Sequence, residues 1–390
     1  MKTSYDMIVV GAGPAGSTTA KVAAEQGLSV LMLEKDREIG IPVRCGEAVG
    51  EKGIRKVVRL REEWIANKIE AVRLVAPDGT TVKVHHEDVG FILDRKRFDY
   101  DLAMMAANQG VEILTKAYVF DLLKKDGYMT GVKFHHLGKD YEIKAKLVIG
   151  ADGVESRVGR WAGLKTHLKL TDIETCVQMT ISNIKLDRRY CDFYFSETIA
   201  PGGYLWVFPK NETTANVGLG ISGEHAQFKS PGEYLTEFVK KTFSGAAILN
   251  TVAGGVPCAP YMEKIVTNGL MLVGDAAHQA NPMTGGGIVT GIVAAQIAGK
   301  VAANAIKEND VSENRLLEYP KEWEKVGGNN HRRAYRLKET VYKLTDEELN
   351  KTATTIIKKP PEKQTIVNIF KTALIQHPKL IPDIIKLFMG

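Results

Sequence analysis

The apolar positions of this chain fall into two patterns. Short uninterrupted apolar runs, each too brief for a helix, read as fully buried strands of a parallel sheet. Met7-Ile8-Val9-Val10 is the first, Leu28 to Leu33 the second, and Phe91-Ile92-Leu93, Val111 to Leu114, Lys146 to Ile149 and Met271-Leu272-Val273 follow. Between them, Ala15 to Gln26 predicts a helix closed by Gly27. A second helix starts at Asp94 to Asp99 and runs to Asn108 before Gly110, and Gly287 to Ala305 predicts a third, rich in small residues. Tyr118 to Lys124 and Thr130 to His135 predict a hairpin around Asp126-Gly127. Residues 171–260 behave differently: apolar and polar residues alternate over several strands, as in an antiparallel sheet. From about residue 315 the chain reads as helical, polar and rich in lysine.

The fold class expected is α/β: a discontinuous Rossmann-type dinucleotide-binding domain, an antiparallel β-sheet substrate domain and a helical C-terminal region. The boundaries expected are 1–60, 90–170 and 260–315 for the first, 61–89 and 171–259 for the second, and 316–390 for the third. The 390 residues are enough for two or three packed layers or domains.

Composition narrows the class only slightly. Apolar content of 44% and charged content of 25% are those of an ordinary soluble protein. No apolar run is read as reaching the length of a membrane span, and the first strand begins too early for a signal peptide. Cys45, Cys176, Cys191 and Cys258 lack CxxC spacing, which points to a reducing cytoplasm rather than to disulfides or zinc. No metal site is expected; the pairs His85-His86 and His135-His136 have no third ligand at useful spacing. The net charge of +6 suits an anionic lipid surface or an acidic electron-transfer partner, and equally a dispersed solvated charge.

Three glycine motifs bring in chemistry. Gly11-Ala12-Gly13-Pro14-Ala15-Gly16 follows the first strand and opens the first helix. Gly11 permits the tight turn, Gly13 lets a pyrophosphate approach the backbone, and Gly16 lets helix and sheet pack closely. The helix start offers N–H groups and a partial positive charge to phosphate. Glu34, 18 residues after Gly16, stands where a carboxylate accepts hydrogen bonds from ribose hydroxyls. The second motif is Gly150-Ala151-Asp152-Gly153, in which Asp152 ties a strand end near the pyrophosphate or is purely structural. The third is Gly274-Asp275-Ala276-Ala277-His278, followed by Pro282 and Gly285-Gly286-Gly287. Asp275 suits a ribityl-like hydroxyl chain. The turn ending at Gly287-Ile288 suits a pyrimidine carbonyl, with the following helix dipole stabilising negative charge on a reduced ring. The ordered trio points to FAD rather than to a generic dinucleotide.

Two further stretches narrow the reading. Pro42-Val43-Arg44-Cys45-Gly46-Glu47 resembles the cysteine-bearing flavin loop of geranylgeranyl reductases, and Tyr204-Leu205-Trp206-Val207-Phe208-Pro209 is similar to that family's YxWxFP strand, completed by Gly218-Leu219-Gly220. With the three glycine motifs, the chain resembles the FAD superfamily that includes p-hydroxybenzoate hydroxylase, and within it the archaeal digeranylgeranylglycerophospholipid reductases, over roughly residues 5–335. The resemblance implies that reduced FAD saturates geranylgeranyl chains of a glycerophospholipid. It implies an electron donor such as ferredoxin or a reduced deazaflavin. No nucleic-acid partner is expected, and the expected location is cytoplasmic, with peripheral contact at the cytoplasmic face of a membrane as one option. The resemblance also implies flavin contacts at Ala15, Arg44, Cys45, Gly46, Ala48, Arg97, Val119, Gly287 and Ile288, beside Gly11, Gly13, Gly16, Glu34 and Asp275.

Read from the residues, Tyr204, Trp206 and Phe208 alternate along a strand and share one face. That face is either a packed core or the aromatic wall of a slot for a prenyl chain. Cys45 is either an inert thiol or a group at the flavin ring, where it donates the proton that alkene reduction needs or shapes the pocket. Glu47 is a further acid or a partner that holds Arg44. The basic run His331-Arg332-Arg333, with Arg336 and Lys338, meets lipid phosphate or lies on a solvated helix face. Ile366 to Phe388 carries spaced apolar positions that pack on the fold, cover the mouth of a prenyl slot or rest on membrane. Two competing functions share these motifs: an FAD-dependent monooxygenase of an apolar substrate, and a prenyl-lipid carrier without redox chemistry.

Overall fold

The computed structural model describes residues 2–84, 90–365, 368–369 and 371–373. His85-His86 and most of the amphipathic stretch from Ile366 lie outside the described residues. The chain forms two compact units: Met1–Val43, Arg95–Leu168 and Pro257–Arg332 in one, and Arg44–Asp94, Lys169–Val256 and Arg333–Gly390 in the other.

The first unit is built on five parallel strands in the order Leu270–Leu272, Lys139–Gly150, Ser4–Val10, Val30–Leu33, Glu112–Leu114. They are the buried apolar runs of the sequence; Met7, Ile8, Val9, Leu31, Met32, Leu147, Val148 and Ile149 have no exposed surface. Their ends align in register, with Val10 opposite both Leu33 and Gly150, and Gly150 opposite Leu272. Gly11, Ala151, Glu34 and the Gly274 turn therefore leave one carboxyl edge of the sheet side by side. The chain passes from the first strand to Val30–Leu33 on one side and returns later as Lys139–Gly150 on the other, so this edge lies at a topological switch point, where ligands of such sheets bind. The expected hairpin forms from Ala117–Lys125 and Tyr128–His136 and extends the long strand Lys139–Gly150 antiparallel. Asp126 and Gly127 take left-handed φ values of 50° and 79° at its two-residue turn.

The helix Pro14–Glu25 begins within the first motif, with proline in its first turn. It packs on Ile288–Lys307, and the pair is close because Gly299 faces Val22: a Cβ on that glycine would stand 2.8 Å from Val22 Cβ. Ile288–Lys307 corrects one expectation, since by length and composition it is apolar enough to cross a membrane. Twelve of its 20 residues are buried in the unit, from Ile288 to Ile306, which makes it a core helix.

The second unit holds a seven-stranded sheet in the order Ala247–Pro257, Ile173–Ser182, Ala215–Ser222, Tyr204–Pro209, Tyr190–Tyr194, Ala71–Val75, Thr81–Val84. From Ile173–Ser182 to Thr81–Val84 the pairing is antiparallel except between Tyr190–Tyr194 and Ala71–Val75, which run parallel. Alternation is strict at its centre. Val177, Met179, Leu205, Val207, Val217, Leu219 and Ile221 face one side and pack with Leu235, Phe238 and Val239. Those three come from the helix Pro231–Thr242, which the strand-only reading of 171–260 overlooked. The signal was present: Ser230 and Glu233 form a reciprocal capping box, with Pro231 at the first position. A separate three-stranded sheet joins Ala48–Gly50, Gly90–Leu93 and Ile65–Ile69.

Candidate functional site

In the first unit the three glycine motifs converge. A Cβ on Gly11, whose φ is 102°, would stand 2.3 Å from the Ala151 carbonyl oxygen, and one on Gly16 would stand 1.9 Å from that of Gly11. Side chains are sterically excluded at both positions. Gly13 is different: a Cβ there meets nothing within 4 Å, so its backbone faces open space. Gly274, at φ 70°, would place a Cβ 2.9 Å from Ala15 Cβ, bringing the third motif against the first. Ser156, overlooked in the sequence, links the second to the third: its hydroxyl donates to the Ala276 carbonyl at 2.8 Å. Asp152 accepts from the Val158 N–H at 3.0 Å, which gives it a structural part. Gln279, almost fully buried, accepts from the Gly274 N–H at 2.8 Å and donates to the Tyr319 hydroxyl at 2.9 Å.

Glu34 is fixed at the strand end. One carboxylate oxygen accepts from the Ala12 N–H and the other from the Asp36 N–H, each at 2.9 Å. Each oxygen keeps a further lone pair for a hydroxyl donor. The Asp275 carboxyl lies 2.9 Å from the position of a Cβ on Gly287, which holds it at the start of Ile288–Lys307. Burial pushes this carboxyl above its ordinary range, and the positive charge of Arg95 pulls it back. Arg95 was not singled out in the sequence. Its largely buried side chain forks onto Asp99 at 2.7 and 2.8 Å. Arg97, by contrast, is half exposed and pairs with Asp101 at 3.2 Å. The Val119 side chain is buried in the core, so only its backbone could meet a ligand. The strand that carries it starts beside Glu34, where the Ala117 N–H donates to the Glu34 carbonyl at 2.8 Å.

This edge fits FAD. A backbone cradle open at Gly13, a carboxylate fixed at Glu34 and a second carboxylate at Asp275 are groups of the chemistry that phosphate and sugar hydroxyls call for.

In the second unit, the cysteine loop and the aromatic strand meet. A Cβ on Gly46 would stand 2.8 Å from Phe208 Cε2 and 3.5 Å from Trp206 Nε1, so only a glycine fits there. Gln178 bridges the two: its Nε2 donates to the Cys45 carbonyl at 2.9 Å, and its Oε1 accepts from Trp206 Nε1 at 3.0 Å. Cys45 Sγ accepts from the Glu47 N–H at 3.2 Å. Glu47 is buried and at φ 73°; its carboxylate receives Lys210 Nζ at 2.6 Å and the Asn216 amide. Lys210 and Asn216 were not anticipated as partners, since they reach Glu47 by tertiary contact alone. The Arg44 stem runs 3.6 Å from the position of a Cβ on Gly254. Ala48 opens the strand Ala48–Gly50.

Tyr204, Trp206 and Phe208 share one face, with centroid separations of 5.8 and 6.1 Å along the strand. Phe193 closes the group, 5.5 Å from Tyr204 and 5.2 Å from Phe208. Trp206 and Phe208 are buried with Ile69, Ile92 and Cys191, while Tyr204 is half-buried. The face is thus partly core, with its more accessible ring at Tyr204. The basic run is not one solvated face: His331 and Lys338 are buried, donating or bonding to the carbonyls of Ala259 and Thr171, and Arg332 pairs with Glu324 at 2.6 Å. Among the described residues no cluster of His, Cys, Asp or Glu is suited to a metal.

A parallel sheet with a dinucleotide cradle at its switch point, joined in sequence to a largely antiparallel sheet, defines an FAD-dependent oxidoreductase. The family model for the geranylgeranyl reductase catalytic domain matches residues 172–256, and that for pyridine nucleotide-disulphide oxidoreductases matches residues 5–187. Digeranylgeranylglycerophospholipid reductase 1 of Methanococcoides burtonii is 47% identical over 100% of this chain and 96% of its own. The crystal structure of a geranylgeranyl bacteriochlorophyll reductase-like protein from Thermoplasma acidophilum superposes with a TM-score of 0.92, at 36% identity over 99% of both chains. The chain belongs to the digeranylgeranylglycerophospholipid reductase family. FAD is its cofactor. The flavin-dependent brominase Bmp2, at 17% identity and a TM-score of 0.70 over 99% of this chain and 93% of its own, shares the fold alone.

Proposed function

We propose that this chain saturates the double bonds of geranylgeranyl groups ether-linked to a glycerophospholipid. The observation that carries the reading is the seating of Gly46 on Phe208 and Trp206, which joins the cysteine loop to the aromatic strand in one unit. A monooxygenase or a carrier shares the glycine cradle but needs neither part. The flavin, when bound, supplies a hydride. The residues of the chain do the rest. Gly11, Gly13, Ala15 and Gly16 present backbone to the pyrophosphate, Glu34 the ribose and Asp275 the ribityl chain. Arg44, Gly46, Ala48, Arg97, Val119, Gly287 and Ile288 are further contacts. Tyr204, with Trp206 and Phe208 behind it, offers an apolar face to the prenyl chain, whose burial is the main source of binding energy. Cys45 donates a proton or shapes the pocket.

We further infer a low-potential electron donor, a ferredoxin or reduced deazaflavin, and work at the cytoplasmic face of a membrane. Four cysteines free of disulfides support a reducing setting.

The test is anaerobic incubation with dithionite-reduced flavin and digeranylgeranylglyceryl phosphate, read by mass spectrometry. Gain of two hydrogens per double bond supports the reading. Oxygen insertion on adding air and a nicotinamide would replace it with a monooxygenase, and a colourless protein that binds prenyl lipid would replace it with a carrier. Cys45→Ala is expected to keep FAD and lose reduction; wild-type turnover would remove Cys45 from the chemistry.

A further inference from the structure

The face of the seven-stranded sheet that carries the aromatic trio also carries an acid with no assigned part. Glu174 lies on the strand Ile173–Ser182, on the same face as Cys176 and Gln178. It is 5% exposed, and neither carboxylate oxygen has a hydrogen-bond partner. Two glycines approach its carboxyl. Its Oε2 lies 3.0 Å from the position of a Cβ on Gly203 and 3.7 Å from that on Gly220. Gly220 pairs in register with Tyr204 on one side and with Cys176 on the other. Gly203 and Gly220 thus leave Glu174 next to the row that ends in the half-buried Tyr204 ring.

A carboxyl placed so is stable only when neutral, because an ionised one would be stripped of water with nothing to replace it. Burial pushes its pKa up to about 8, opposed by the charge of Lys338, whose ammonium donates to the Thr171 carbonyl at 2.7 Å. The other titratable groups of this corner are Cys176, whose Sγ lies 3.6 Å from the Glu174 carbonyl, and Asp172, which accepts from the Tyr335 hydroxyl at 2.9 Å. Glu224 and His225 stand on the short helix Gly223–Ala226, with the His225 ring 3.4 Å from the position of a Cβ on Gly202. A neutral acid with an unengaged O–H beside an apolar binding face has what a general acid needs.

We propose that Glu174 is the general acid that protonates the alkene as its double bond is saturated. The inference rests on the function proposed above. A hydride, carrying both electrons of the reduced cofactor, forms one new C–H bond. The π pair of the alkene forms the other with the proton of Glu174 at the adjacent carbon. Glu174 is left as a carboxylate, eased by the nearby Lys338 charge, and regains its proton from water before the next turnover. Cys45, whose sulfur takes the Glu47 N–H, then serves to position the loop.

The test is Glu174→Gln, an isosteric change that keeps shape and removes the proton. Expected is a loss of at least about 100-fold in kcat, within the range for general acids, with KM for the lipid and the bound-flavin spectrum unchanged. Wild-type activity should fall as pH rises through about 8, and that limb should be absent from the residual activity of the variant. Infrared difference spectra should show a carboxylic acid C=O band in the wild type at neutral pH that is missing from the variant. Glu174→Met should fold at least as stably as the wild type while remaining inactive. Near-wild-type kcat in Glu174→Gln would overturn the proposal, as would absence of the carboxylic acid band. Failure of the wild type itself to add hydrogen would instead refute the function on which it rests.

Discussion

The Trp206 indole N–H donates to Oε1 of Gln178 at 3.0 Å, and the same amide holds the Cys45 carbonyl through its Nε2. One buried side chain thus fixes the aromatic strand and the cysteine loop together. Gln178→Leu would take away the acceptor of a buried indole N–H and the amide that holds the loop. A loss of about 1–3 kcal/mol in denaturant stability is expected, since a buried unsatisfied group carries its full desolvation cost. Turnover should fall with it, while FAD content is kept. Unchanged stability would show that the bridge contributes nothing net.

Gly46 has no room for a methyl group. Gly46→Ala would press a Cβ to within 2.8 Å of Phe208 Cε2, with Trp206 behind that ring. Overpacking of this kind costs about 1–3 kcal/mol, and it should displace the loop and lower kcat. Phe208→Leu in the same chain should recover part of both losses. A double-mutant cycle without coupling would contradict the contact.

The glycines of the first motif should separate fold from ligand. Gly16→Ala collides with the Gly11 carbonyl and should destabilise the apoprotein. Gly13→Ala places its methyl in open space, so melting without flavin should be unchanged while FAD affinity drops. Calorimetry of the apoprotein and flavin fluorescence titration distinguish the two. Equal FAD affinity in Gly13→Ala and wild type would contradict a pyrophosphate at this backbone.

Glu174 should also shape stability against pH. Its folded pKa, about 8, lies above the ordinary 4.5 of a glutamate, so the native state holds a proton that the unfolded chain has released. Stability from this group is fully present below the unfolded pKa and is lost as pH rises through about 8, with a total on the order of a few kcal/mol. Glu174→Gln should flatten that slope in urea titrations at several pH values. A wild-type slope preserved in the variant would place the titration elsewhere.

Much of this protein was legible without coordinates. The runs Met7 to Val10 and Lys146 to Ile149 could only be buried parallel strands, because uninterrupted apolar residues have no solvated face. Gly11, Gly16 and Gly274 stand where backbone or Ala15 leaves no space for a Cβ, a demand that glycine alone meets and that spacing therefore records. The face shared by Tyr204, Trp206 and Phe208 followed from the two-residue period of a strand. Tertiary structure decided what periodicity does not encode. Nothing in the local sequence pairs Glu47 with Lys210, or Gln178 with Cys45, since these contacts join segments more than 130 residues apart. Nor could spacing show that Arg95 rather than Arg97 is the buried cation, or that Glu174 stands without partners. Burial and the charge state it imposes are sums over neighbours drawn from several strands, and only the folded chain assembles those neighbours.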